Sequence, residues 1–143
     1  MSGTLYPAGT VAEAKTREFE TGAIRDREEG KPDYEGYLSP LVTARFGEYM
    51  TKHRKLPDGT LRDSDNWQKG IPQNVYIKSA WRHLIAWWSE HRGHRTADGI
   101  EEALCGLLFN VQGYLHERLR QKRGAAQRSA MGRGAGFGGP GQI

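Results

Sequence analysis

Apolar positions recur at helical spacing in three separate stretches of the chain. From Ser39 to about Arg54, Val42, Phe46, Tyr49 and His53 share one face. Ser39 offers an N-cap hydroxyl there, and Pro40 has the fixed φ that suits a first helical position. From about Asn74 to Arg92, Ile77, Ala80, Trp81, Leu84, Trp88 and His91 follow at steps of one to four residues, and Gly93 stands where a C′ glycine ends a helix. From Asp98 to about Arg123, Ile100, Leu104, Leu107, Leu108, Val111, Leu115 and Leu119 form a third stripe, with Asp98 and Glu101 spaced as a capping box. The pattern predicts an all-α fold, a small bundle of three main helices that bury these stripes.

Outside the stripes the pattern stops. Residues 1–33 are interrupted by Gly3, Pro7, Gly9, Gly22, Gly30 and Pro32 and read as an extended N-terminal arm with neither helical nor strand period. Residues 34–123 form the helical domain. Residues 124–143 hold seven glycines and little to bury, so a disordered Gly/Arg tail is expected. Between the first two helices runs a long polar loop with a Pro57-Asp58-Gly59 turn, and a loop of that length in a compact domain carries function or stays disordered. Phe109 and Cys105 lie off the third stripe, so that helix is apolar around much of its circumference and needs neighbours on two sides. Three helices do not supply both, which points to a homo-oligomer.

Composition sharpens this picture in two places. At 143 residues, with 36% hydrophobic and 27% charged residues, one modest core is affordable and two are not. The net charge of +4 divides unevenly. Arg118, Arg120, Lys122, Arg123, Arg128 and Arg133 follow Glu117 with no acidic residue among them, whereas residues 1–117 carry 15 basic and 17 acidic side chains. Nucleic acid is therefore a candidate partner of the basic end alone. No run of 18 apolar residues exists and no basic-apolar leader opens the chain, so no membrane partner and a cytoplasmic location are expected. The single cysteine, Cys105, excludes an internal disulfide, and its leucine neighbours favour packing over reactivity.

Candidate chemistry sits beside the stripes. At about 100° per residue, Ser79, His83 and Glu90 line one flank of the second helix, edged by Tyr76 and Trp87. Glu102, Gly106, Asn110, Gly113 and Glu117 line a flank of the third, and each of those glycines costs on the order of 1 kcal/mol against alanine unless something must come close. Glu48 stands at the edge of the first helix's apolar face. Three helices thus offer carboxylates, an imidazole and an amide toward one cleft, as bundle metal sites do. Glu48 and Glu102 are the candidate ligands of Mg²⁺ or Mn²⁺, and His83 and Glu90 the candidates to position a water for phosphate-anhydride hydrolysis. In the loop, Asn66-Trp67-Gln68-Lys69-Gly70 joins a stacking ring to polar and basic groups, which fits nucleotide binding. Lys78 and Arg82 share an outer face within reach of phosphates or a partner subunit. Each of these residues also has a plain structural use. Glu48 can pair with Arg45 and Lys52, Trp67 can pin the loop to the bundle, and Glu102 and Glu117 can be solvated.

Taken together, Tyr34-Glu35-Gly36-Tyr37-Leu38-Ser39-Pro40-Leu41, Asp65-Asn66-Trp67-Gln68-Lys69-Gly70-Ile71-Pro72, Ser79-Ala80-Trp81-Arg82-His83-Leu84 and the Ala103–Glu117 helix resemble the phage dATP/dGTP diphosphohydrolase family in its N-terminal-domain form. The resemblance covers about residues 19–118, and the loop from Asn66 to Pro72 followed by Arg82-His83-Leu84 is its most specific part. That family is similar to the all-α NTP pyrophosphohydrolases of the MazG type. The resemblance implies Mg²⁺-dependent cleavage of a purine deoxynucleoside triphosphate (dNTP) to dNMP and pyrophosphate, dimers or tetramers with sites between oligomerising helices, and residence in a host cytoplasm. In that reading Asn66, Trp67, Lys69, Arg82 and Asn110 bind nucleotide. The family's metal signature pairs acids on one helix, and here its nearest counterpart is Glu102-Ala103-Leu104-Cys105, with a cysteine where the second acid is expected. Glu48, His83, Glu90 and Glu102 then form a variant site, or the domain is a non-catalytic accessory protein that binds nucleotide or, through its basic end, nucleic acid.

Overall fold

The computed structural model describes residues 16–134, and the chain divides into two compact units on either side of the Leu38–Ser39 bond. In the first unit, β1 (Thr16–Glu18) and β2 (Ile24–Asp26) pair antiparallel, with Arg17 opposite Arg25. Arg17 braces this hairpin, donating from Nη2 to Glu28 Oε1 at 2.7 Å and lying 4.8 Å from the centre of the Phe19 ring. Strands of three residues are too short to show an alternating pattern, which is why the arm gives no strand signal in sequence. One helical turn follows, α1 (Tyr34–Tyr37), where Asp33 Oδ1 accepts from Gly36 N at 3.0 Å. Residues 1–15 of the expected arm lie outside the described residues.

The second unit begins at Ser39, whose hydroxyl accepts from Val42 N at 3.3 Å and starts α2 (Pro40–Lys52) as the cap pattern predicts. The loop after α2 is ordered. Arg62 N donates to Arg54 O (2.9 Å) and Leu56 N to Thr60 O (2.8 Å), folding Pro57-Asp58-Gly59 into a tight reversal. Asp58 Oδ1 closes it by accepting from Thr60 N and Oγ1. A 3₁₀ turn over Asn66–Lys69 leads into α3 (Gln73–His91), which ends at Gly93 in the left-handed region, φ +87°. After a short turn, α4 (Gly99–Gly134) runs back antiparallel to α3. The fold is thus mainly helical, with α2, α3 and α4 as its main elements. Among the described residues, no helix is long and apolar enough to cross a membrane.

Two sequence expectations change here. The helix expected to stop near Arg123 continues to Gly134, because Ala125-Ala126-Gln127-Arg128 and Ala130-Met131 are good helix formers that extend an existing helix without a new nucleus. Disorder expected from residue 124 is therefore not seen through Gly134, and residues 135–143 lie outside the described part. The second change concerns which faces are buried. Ile77, Trp81, Trp88 and His91 on α3 are exposed, and so are Ile100, Leu104, Leu108, Val111, Leu115 and Leu119 on α4. The buried positions of α4 are Ala103, Cys105, Gly106, Asn110 and Gly113, and Tyr76 is the buried residue of α3. The helices meet through the flanks that the apolar count assigns to a cleft. The physical reason lies at two glycines. A Cβ on Gly106 would overlap the His83 ring and one on Gly113 the Tyr76 ring, so both rings sit directly on the α4 backbone.

Candidate functional site

α2 docks on α4 through ions. Arg45 donates to Glu101 (3.1 Å) and Glu102 (3.0 Å), and Lys52 reaches the other oxygen of Glu102 at 3.2 Å. Tyr49, buried on the inner side of α2, stacks on Phe46 and lies 4.1 Å from the His53 ring centre. Across from it, Trp67 meets the edges of Phe109 (6.3 Å) and His116 (4.8 Å) on α4, while Arg120 donates to Gln68 O at 2.9 Å. These contacts pin the Asn66–Lys69 turn to α4, and they realise the structural use of Trp67 named above.

Between α2, the reversal and this turn lies a cavity of about 440 Å³. Its walls include Tyr49, Trp67 and Phe109 as rings, with Arg54, Arg62 and Asn66 as polar groups. That volume and mixture fall in the range of small-ligand sites. Arg54 Nε donates to the backbone carbonyl of Arg62 at 2.8 Å, which ties the Arg54 side chain across the reversal. Tyr49 and His53 also wall a second, smaller cavity of about 110 Å³, whose other sides include His83, Asp98 and Glu102. The two cavities therefore share the Tyr49–His53 wall.

The expected residues distribute as follows. Asn66 and Trp67 line the larger cavity; His83 and Glu102 line the smaller. Burial, then the nearby Arg82 and His53, holds the His83 imidazole below its ordinary value, so it is neutral near pH 7. Glu102 is held below the usual carboxylate value, first by the hydrogen bond from Arg45. Glu90 has other work: its Oε1 accepts from Thr96 N (2.6 Å) and Thr96 Oγ1 (2.8 Å), clamping the α3–α4 turn, and these bonds lower its pKa. Asn110 is buried, with Nδ2 donating to Gly106 O at 2.7 Å. Lys69 is exposed and lies 3.8 Å from Asp63, while Glu48 and Arg82 are exposed. Burial raises the Cys105 thiol, which keeps it protonated beside α2, in line with a packing role.

These residues do not fit a protein-held Mg²⁺ or Mn²⁺ within one protomer. Glu102 already accepts from two cations, Glu48 is exposed, and among the described residues no group of three or more His, Cys, Asp or Glu is placed to hold a metal ion. Sequence reasoning missed Arg54, Arg62 and Asp98. The first two had a usable signal, since residues that bracket a Pro-Asp-Gly turn are brought together by it. Comparison with protein-family models, with curated proteins and with solved structures finds no match for this chain.

Proposed function

We propose that the chain binds a purine dNTP in the larger cavity and hydrolyses it to dNMP and pyrophosphate, the reaction that the resemblance implies. The supporting observation is the shared Tyr49–His53 wall between the ring-lined cavity with Arg54 and Arg62 and the small cavity with His83, Asp98 and Glu102. The base stacks against Trp67 or Tyr49, and the two guanidinium groups meet phosphate oxygens. Neutral His83 then accepts a proton from a water that attacks the α-phosphorus, the α–β bridging bond breaks, and pyrophosphate leaves. No step is routed through a protein-held metal, since no group among the described residues is placed to hold one. Pyrophosphate release from each of the four dNTPs, with and without added Mg²⁺, tests the reaction. Release from dATP or dGTP is expected, and none from any dNTP at micromolar protein would sink hydrolysis. Arg62→Ala is expected to weaken dATP binding by about tenfold, the value of one charge-assisted hydrogen bond.

A second reading, nucleotide or nucleic-acid binding without catalysis, is favoured by one observation: Glu90 and Glu102, two acids of the expected site, are engaged by Thr96 and by Arg45 and Lys52. It predicts thermal stabilisation by dNTP or by oligonucleotide without any pyrophosphate release.

A further inference from the structure

The wall between the two cavities comes from the last turn of α2, and its histidine has no part in the reaction set out above. His53 is the C-cap of that helix. The carbonyl oxygen of Tyr49 accepts from His53 N at 3.2 Å and lies 2.8 Å from Nδ1 of the same residue. A carbonyl oxygen can only accept, so Nδ1 is the ring nitrogen that carries a hydrogen. The Tyr49 ring, 4.1 Å away between centres, packs on the imidazole and keeps it in that orientation. Among the described residues Nε2 has no hydrogen-bond partner, which leaves it for a ligand.

This local geometry ties what the ring can do to its charge. A histidine free to exchange tautomers donates from either nitrogen while neutral. With its Nδ1 hydrogen committed to a carbonyl, a neutral His53 presents a lone pair at Nε2 and donates there only as the imidazolium. A phosphate oxygen, which only accepts, is repelled by the first form and bound by the second.

We infer that His53 is a proton-dependent phosphate contact, whose protonated Nε2 donates to a phosphate oxygen of the bound nucleotide where the two cavities meet. The inference rests on the nucleotide reading above and adds a residue to that site. Position is the first support: His53 lines both cavities, so a phosphate chain that runs from the larger into the smaller passes it. Charge is the second. The other ionisable groups lining these cavities are Arg54, Arg62 and Asp63 on the side of the reversal and His83, Asp98 and Glu102 on the side of α3 and α4. Glu102 is taken up by Arg45 and Lys52, and burial keeps the Tyr49 phenol protonated. That sets two arginines against two remaining carboxylates, so an arriving phosphate finds its charge unmatched until His53 gains a proton. The carbonyl end of α2 favours that proton as well. The third support is the neighbouring imidazole. After burial and Arg82, charge on His53 is the next cause that holds His83 neutral. The two rings thus divide the work: His53 carries charge to the phosphate, and His83 keeps a free lone pair for the attacking water.

Titration calorimetry tests this with a dATP analogue whose α–β bridge is a methylene and cannot be cleaved. Binding to the wild-type chain and to His53→Gln is measured at pH 8 and pH 5.5, and the ligand's own protonation cancels in the ratio of the two proteins. Between those pH values the wild-type affinity is expected to rise about tenfold more than that of His53→Gln, the value of one charge-assisted hydrogen bond. Deoxyadenosine, which has no phosphate, is expected to respond to pH equally in both proteins. An equal pH response of the two proteins to the analogue overturns the inference and leaves the nucleotide reading standing. So does a His53→Gln variant that loses deoxyadenosine as strongly as the analogue, since the ring then only shapes the cavity. No binding of the analogue to the wild-type chain at either pH overturns both. Nitrogen-15 spectra of the ligand-free wild-type chain at pH 8 need no variant: a hydrogen on Nδ1 of His53 is expected, and one on Nε2 removes the basis of the proton dependence.

Discussion

The two sides of α4 differ in side-chain size and in burial, and in the opposite sense to the one hydrophobicity predicts. On one side, Ala103, Gly106, Asn110 and Gly113 are buried against α3; on the other, Leu104, Leu108, Val111 and Leu115 face outward. A scale of side-chain hydrophobicity ranks these faces the wrong way round. The difference is one of approach distance. Glycine lets a ring rest on the helix backbone, so the His83 and Tyr76 rings make many short contacts there, whereas a leucine stripe holds a neighbour further off and needs a large apolar partner to be worth burying. Small residues decide what packs inside the protomer, and the large ones are left facing outward.

The sharpest way to break this contrast is to add one methyl group to the small face. A Cβ at residue 113 would overlap the Tyr76 ring, which is 1% exposed and has no room to withdraw. Gly113→Ala is therefore expected to destabilise the fold by about 2 kcal/mol or more, despite the better helix propensity of alanine. Urea unfolding measures it, and an unchanged or raised midpoint would show that the ring does not lie on the backbone.

Much of this molecule is legible from sequence, and the illegible part has a common cause. Ser39-Pro40 and Gly93 mark helix ends through local chemistry, and the structure has those ends in place. Pro57-Asp58-Gly59 marks a reversal for the same reason. Gly106 and Gly113 signal a close approach in sequence, but not that His83 and Tyr76 are what approaches, because that depends on where α3 docks. Glu90 reads equally well as a catalytic acid or as a clamp, and the choice is made by Thr96, six residues on across a turn. Glu102 likewise acquires its partners from α2, some 50 residues away in the chain. Local signals survive folding; a side chain's role follows from partners that folding delivers.

His83 links the small face to the candidate site and gives a pH test of smaller effect. Its imidazole lies over Gly106, with burial, Arg82 and His53 all favouring the neutral form and Asp98 opposing them. The folded-state pKa is thus below the ordinary 6.5, so the unfolded chain binds the proton more readily. Stability from this group is complete above pH 6.5 and falls as the pH drops through the folded value. Glu90 and Glu102, also lowered, add losses only further down, below their ordinary 4.5. Urea midpoints measured from pH 7.5 to 5 are expected to decline, and the decline is expected to flatten in His83→Gln. An equal slope in both proteins would place the imidazole in solvent.

The smallest expected effect, and the one of opposite sign, comes from a glycine on α4 with nothing to admit. Gly132 is exposed and helical, and a Cβ there would meet no atom within 4 Å. Alanine at that position gains helix propensity without a clash, a benefit of at most about 1 kcal/mol and less near a helix end. Because this stretch of α4 is exposed among the described residues, the gain appears as helicity in the far-ultraviolet circular dichroism at low temperature, not in the global unfolding midpoint. Gly132→Ala raising helicity while Gly113→Ala lowers the midpoint would separate the two uses of glycine on one helix. A loss of helicity in Gly132→Ala would mean that the end of α4 is packed against something, and that the outward face begins closer to the C-terminus than the stripe from Ile100 to Leu119 implies.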